Sequence, residues 1–379
     1  MASANRPLLR ANTAILAAAL LACAPQRATT QAPAALTDSA FAALVTRLSE
    51  PSGYFDTDNL ISNEDSYLHP VTTLRNIGTT GGVYVGVGPD QNFSYIAAVR
   101  PHAAFIVDVR RDNLLEHLLF KATFALSRNR VEYLALLFGR AAPGDTAGWA
   151  AKPIDSLLFY IDAAKRDSAA EALARERVMA EVRRLPLELS SADFETIARF
   201  HNTFIAAGPA LRFNTFGRAP QPYYPDYRQL ASGLDRDGRQ AGFLATESAF
   251  QFVKDLEARN LVIPVVGNFA GTHALAGVAQ WMEANGETLS ALYTSNVEQY
   301  LFRGEGGFAE FAKSVERFPR NAKSAIIRSC FTCGGGHPHA VAGYHAVMTV
   351  QLVDRFVELR QSGQLGRYYD LVTTGLVTP

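Results

Sequence analysis

Short runs of β-branched and aromatic residues alternate along the chain with longer stretches in which apolar residues recur every three or four positions. That alternation predicts strands separated by helices. The strand-like runs are 83–87 (VYVGV), 103–108 (AAFIVD), 261–266 (LVIPVV), 290–294 (SALYT) and 324–328 (SAIIR). Helical spacing marks 39–48, 93–99, 113–126, 246–259, 272–285, 305–318 and 345–361. Five strands, each followed by a helix, predict an α/β protein with a doubly wound, mainly parallel sheet of Rossmann type.

The alternation is interrupted between residues 130 and 245. This stretch holds an apolar helix over 131–138, a Gly/Pro/Ala loop with Trp149, a charged helix over 168–185, a helix capped by Ser190 or Ser191, and the aromatic loop PQPYYPDY at 220–227. It reads as a mainly helical insertion between a first core half (39–129) and a second (246–379). Residues 49–70 are dense in Pro, Gly, Asp, Asn and Ser, which is loop chemistry, placed just before the first strand.

The first residues carry a different pattern. Arg6 and Arg10 precede the apolar run 13–22, which is too short to span a bilayer comfortably and ends in Leu20-Leu21-Ala22-Cys23. Residues 1–23 therefore read as a signal peptide, and 24–38 as a Pro/Gln/Thr/Ala tether. The expected location is the cell envelope; a cytoplasmic location would require a mis-assigned start codon, and the next methionine is Met179. Over the whole chain 36 basic and 36 acidic residues cancel, so no electrostatic footprint for nucleic acid is present. Neither the ligand nor the oligomeric state is specified by these features.

Open parallel sheets bind ligands at the carboxyl ends of their strands, near the point where strand order reverses. The first strand runs into Gly86-Val87-Gly88-Pro89-Asp90-Gln91-Asn92, a glycine turn opening a helix, and the second ends on Asp108. Gly86, Gly88, Asp90, Asn92 and Asp108 are thus expected to face a nucleotide-type ligand, the helix N-terminus towards it and the acid on a ribose hydroxyl. A tight turn after a buried strand also needs glycine without any ligand. The later strands end on Asn268 and on Ser295-Asn296-Val297-Glu298-Gln299-Tyr300. Among these, Glu298, Asn296 and Tyr300, with Glu64 from the preceding loop, are the groups placed to position or deprotonate a substrate.

Cys330-Phe331-Thr332-Cys333 follows the last strand, and His337 and His339 lie close behind. A disulfide, a transition-metal site and free thiols all suit that spacing; an oxidising compartment favours the disulfide, and no metal is assigned. The chain has no G-x-S-x-G, H-E-x-x-H, S-x-x-K or G-x-x-x-x-G-K-[ST] motif, which removes the usual signatures of serine hydrolases, zincins, lactamases and P-loop enzymes.

The order of a glycine turn, an acid twenty residues on and polar strand ends resembles the core of class I S-adenosylmethionine-dependent methyltransferases. The phrases GYFDTDNLISNEDSY, GVGPDQNFSYIA and SNVEQYLF are similar to those of an uncharacterised bacterial family of methyltransferase-like proteins. The resemblance implies S-adenosylmethionine as cofactor, with Gly86 and Gly88 beside its methionine and ribose, Asp108 on the ribose, Asn268 near the adenine and residues 295–298 facing the substrate. Two positions depart from the pattern: Tyr84 stands where an acid is usual, and Asp90 where a glycine is. The ending LLAC also resembles the lipobox of bacterial lipoproteins, which implies lipidation of Cys23 and a membrane anchor. The expected function is that of a methyltransferase-like protein. The alternative is a non-catalytic envelope lipoprotein that binds a small ligand or partner on the same scaffold.

Overall fold

Every residue of the strand Val83–Gly86 (β1) is buried, because strands lie on both its edges and helices cover both its faces. The computed structural model describes residues 1–2, 33–217, 219, 221–304 and 306–379. The expected signal peptide, Cys23 and most of the tether lie outside the described residues. The strands and helices all belong to one compact unit, Ala32 to Pro379.

Five further strands complete the sheet: Ala103–Asp108 (β2), Val262–Val266 (β3), Leu289–Ser295 (β4), Arg320–Cys330 (β5) and Val347–Leu352 (β6). The order is β3-β2-β1-β4-β5-β6. The chain builds outward from β1 to β3, returns to the other side of β1 and builds outward again, so the order reverses between β1 and β4. All pairs from β3 to β5 are parallel, and β6 runs antiparallel to β5. The chain is thus an α/β protein with a mostly parallel six-stranded sheet and, among the described residues, fifteen α-helices.

The sixth strand corrects one expectation. Residues 345–361 carry helical spacing, but only Val353–Gln361 is helix. In 347–352 the sequence VMTVQL also satisfies the period of two. Its register from Ala325↔Leu352 to Cys330↔Val347 gives the edge of β5 the partners it would otherwise lack. Spacing alone does not separate a short strand from the start of a helix. A second correction lies at His69-Pro70, expected as loop. Pro70 occupies the first turn of a helix, His69–Ile77, which Gly78 ends at φ 70°.

The helices Arg130–Leu137, Ile154–Ala163, Ser168–Arg184, Ser191–Ala207 and Tyr227–Ala231 occupy the stretch expected as an insertion. Arg130–Leu137, Ser168–Arg184 and Ser191–Ala207 pack on the long helix Arg111–Leu126, with Phe120 meeting Phe204 at 5.9 Å between ring centres, and Ile154–Ala163 packs on Arg130–Leu137. Ser190 caps its helix in a reciprocal box with Asp193, and Asp193 also holds Arg111, with Nε to Oδ1 at 2.7 Å. Cys330 and Cys333 are at disulfide distance, with S–S 2.07 Å. Among the described residues, no helix is long and apolar enough to cross a membrane.

Candidate functional site

A cleft of about 260 Å³ opens where the strand order reverses, outside the carboxyl ends of β1 to β4. Its floor is Val87, Gly88, Asp108, Gly267 and Ser295. One wall is the loop before β1, through Phe55, Thr57, Asn59, Ser62 and Asn63. The other is Phe269, Asn296 and Tyr300, and Phe213 and Tyr224 reach over from the helical segment. Thr57 Oγ1 donates to Asn214 O at 2.5 Å and Phe216 N to Asp56 O at 2.7 Å, so the two loops are tied together across the rim.

The turn after β1 is held by one side chain. Asn92 Nδ2 donates to the carbonyls of Val87 (3.0 Å), Gly88 (3.0 Å) and Pro89 (2.7 Å), while its Oδ1 accepts from Tyr84 OH at 2.8 Å. His117 Nε2 donates to Gly88 O at 2.9 Å. A Cβ on Gly86 would stand 2.0 Å from Asn92 Oδ1, so Gly86 makes room for Asn92 and does not line the cleft. Gly88 does line it. Its φ is +85°, and a Cβ there would point at Gln91 Nε2 (3.0 Å) and Asn59 Nδ2 (3.4 Å). Tyr84, standing where the resembling enzymes have an acid, is spent on orienting Asn92.

Asp108 reaches the cleft as part of an ion pair. Arg110 wraps back over two residues, with Nε to Oδ1 at 3.0 Å and Nη2 to Oδ2 at 2.8 Å; the Arg110 backbone N–H donates to the same Oδ1 at 2.9 Å. Arg110 Nη1 donates to Asp58 O at 2.7 Å. Both side chains are almost wholly buried, and the carboxylate beside it holds the guanidinium charged against the cost of burial. Arg110 is the residue that sequence reasoning passed over. Its only signal was an arginine two positions after a strand-ending acid.

The other expected residues fall into three places. Asn268 lies at the rim, its backbone N–H donating to Glu50 Oε2 (3.2 Å) and its Oδ1 accepting from Ala270 N (2.9 Å). Asn296 and Tyr300 line the cleft, and Tyr300 meets the Phe55 ring edge-on at 5.3 Å. Asp90 does not reach it. It lies behind Gln91 beside a void of about 10 Å³ shared with Tyr67 and Tyr227, and burial pushes its carboxyl up to about 7. Glu298 is turned away altogether. Its carboxylate is fully buried against Arg328 and accepts from Thr294 Oγ1 at 2.8 Å.

Glu64 lies directly beneath the cleft. Its Oε1 accepts from Ser295 Oγ at 2.5 Å and its Oε2 from Tyr293 OH at 2.7 Å. Burial raises its pKa. Two residues on the cleft, Asn59 (φ 52°) and Ser295 (φ 51°), hold left-handed backbone that non-glycine residues seldom adopt. Among the described residues, no group of three or more His, Cys, Asp or Glu stands close enough to hold a metal ion.

These features define an α/β protein with a cleft at the switch point of its sheet. The chain belongs to the family described as Domain of unknown function (DUF7790), which it matches over residues 60–187 and 206–371. The Gly88 turn, Asp108–Arg110, Ser295 and the wall of Phe269, Asn296 and Tyr300 fall within the matched spans, whereas Phe55, Thr57 and Asn59 of the other wall precede them. None of the curated proteins matches the chain.

Proposed function

We propose that this protein is methyltransferase-like and that its cleft takes S-adenosylmethionine. The supporting observation is one juxtaposition: Asp108 at the tip of β2, the open positive-φ Gly88 at the tip of β1, and an aromatic wall on the same cleft. The residues fit the group. Among the described residues Asp108 Oδ2 accepts from Arg110 Nη2 alone, which leaves it acceptor capacity for a ribose hydroxyl. Gly88 presents bare backbone where a side chain would fill the cradle. Phe269 and Tyr300 offer apolar ring surface for a purine, and Asn268 offers an amide beside it.

When bound, the group supplies an electrophilic methyl on a sulfonium. The chain's own contribution is positioning and exclusion of water. Arg110 fixes the Asp108 carboxylate, Asn92 fixes the turn carrying Gly88, and Phe55, Phe213 and Tyr300 narrow the entrance. The leader sequence supports attachment to the cell envelope through Cys23, and with it the second reading, a ligand-binding lipoprotein without catalysis. The specific observation favouring that second reading is Glu298, whose carboxylate is committed to Arg328 and unavailable to a substrate.

Calorimetric titration of the purified protein with S-adenosylmethionine and S-adenosylhomocysteine tests the proposal. The expected result is micromolar binding of both, weakened at least tenfold in Asp108→Asn. The asparagine is preferred to alanine because its amide oxygen keeps one acceptor for Arg110 and leaves no void beside it. A folded protein that binds neither ligand overturns the reading.

A further inference from the structure

Glu64 has no exposed surface, yet it is one side chain away from the cleft. Its loop is pinned on both sides. Glu64 N donates to Ser62 Oγ at 3.1 Å, and the next residue, Asp65, accepts from the backbone N–H groups of His345 (2.7 Å) and Ala346 (3.0 Å). On the cleft side, Ser295 ends β4 in left-handed backbone, a conformation held only where the surroundings enforce it. That conformation sets its hydroxyl between the cleft and Glu64 Oε1. A hydroxyl that lines a binding site and donates at 2.5 Å to a buried carboxyl can pass a proton from one side to the other.

We propose that Glu64, acting through the Ser295 hydroxyl, is the proton acceptor of this cleft. The molecule methylated there then reacts through an oxygen or nitrogen that must give up a proton. This rests on the methyltransferase reading above. As the bond from that atom to the methyl carbon forms, the carbon–sulfur bond of the sulfonium donor breaks and its electron pair stays on sulfur. The acceptor's proton passes to Ser295 Oγ, and the serine's own proton passes to Glu64 Oε1. One positive charge on sulfur and one negative charge on Glu64 disappear together, which suits a carboxyl held where charge is costly.

The groups facing Glu64 are Tyr293 and Ser295 of β4, Ser329 of β5 and Asp65 of its own loop; the phenols of Tyr84 (β1), Tyr95 (helix Gln91–Val99) and Tyr368 (helix Tyr368–Thr373) stand within its field. None of these is a cation, so the arrival of a sulfonium is the event that stabilises the Glu64 carboxylate. Titrations with S-adenosylmethionine and S-adenosylhomocysteine, each in two buffers of different ionisation enthalpy and over the whole pH range in which the protein stays folded, therefore read the proposal. Wild type releases protons on binding the sulfonium and not on binding the neutral thioether. Glu64→Gln binds the neutral thioether within threefold of wild type, loses the release and loses the pH dependence of sulfonium binding. Ser295→Ala removes one donor from the carboxylate and moves the release to higher pH; it carries the test alone if Glu64→Gln does not fold. Binding of both ligands with the same proton release in wild type and Glu64→Gln, or with no displacement in Ser295→Ala, overturns the proposal and leaves the methyltransferase reading standing. Failure of folded wild type to bind either ligand withdraws that reading, and this proposal with it.

Discussion

Arg328 Nε lies 2.9 and 3.0 Å from the two carboxylate oxygens of Glu298, and neither side chain is exposed to solvent at all. Arg328 Nη1 continues the chain of contacts to Gln351 Oε1 at 2.9 Å, so the pair ties the tip of β4 to β5 and β6. A buried guanidinium stripped of its carboxylate is costly, of order 3–5 kcal/mol. Glu298→Ala is therefore expected to lose about that much stability in urea unfolding. Any nucleoside ligand should bind the folded fraction as wild type does. A large loss of affinity with little loss of stability would return Glu298 to the site.

Asp90 gives the protein a pH dependence of known sign. Its carboxyl is raised by burial from 3.8 to about 7, so between those values the folded protein holds a proton that the unfolded chain releases. Stability from this group is complete below about pH 4 and is lost as pH rises to about 7, by an amount on the order of 4 kcal/mol. Asp90→Asn is expected to remove that slope and to be the more stable protein at pH 8. Glu257, raised to about 7 by burial, remains in both proteins, so the difference between their denaturation midpoints isolates Asp90.

Gly86 and Gly88 are two residues apart and answer to different demands. Gly86→Ala drives a methyl into Asn92 Oδ1 and the Tyr84 hydroxyl, and is expected to cost roughly 1–3 kcal/mol as an overpacked core. It should weaken ligand binding only through the displaced turn. Gly88→Ala meets φ +85° and the cleft itself, so affinity is expected to fall at least as far as stability. Thermal unfolding and calorimetry on the two variants separate the roles.

The bridge between Cys330 and Cys333 closes a ring of four residues. The loop-closure entropy removed by so short a ring is worth about 2 kcal/mol. The double serine variant is expected to lose no more than that, and to leave the cleft intact because neither cysteine lines it. Mass spectrometry of the purified protein without reductant should find both thiols oxidised.

The sheet was legible because β1 to β5 are short apolar runs with helical stretches between them, and a parallel strand buried on both faces announces itself in that way. β6 was not, because VMTVQL fits both periods and only its pairing with β5 decides between them. The position of the cleft followed from the strand ends. Which side chains reach it did not, since Glu298 and Tyr300 sit two residues apart on one short helix and face opposite ways. Asp108 was visible as a strand-ending acid, but a local run of residues does not reveal that Arg110 folds back onto it. Ser295 was written in the chain as an ordinary polar residue; its left-handed backbone and its bond to Glu64 are tertiary facts.

The Glu64–Ser295 contact joins residues 231 positions apart. During synthesis the acidic loop emerges before β1, β2, the helical segment, β3 and β4 are made. Only when β4 has docked beside β1 does the carboxyl lose its water and acquire its hydroxyl partners. The cleft is therefore closed only once β4 is in place, and contacts of such separation are the slow ones in folding. Ligand binding should appear late in refolding, after the helical signal has recovered. It would then report whether a given molecule has finished folding.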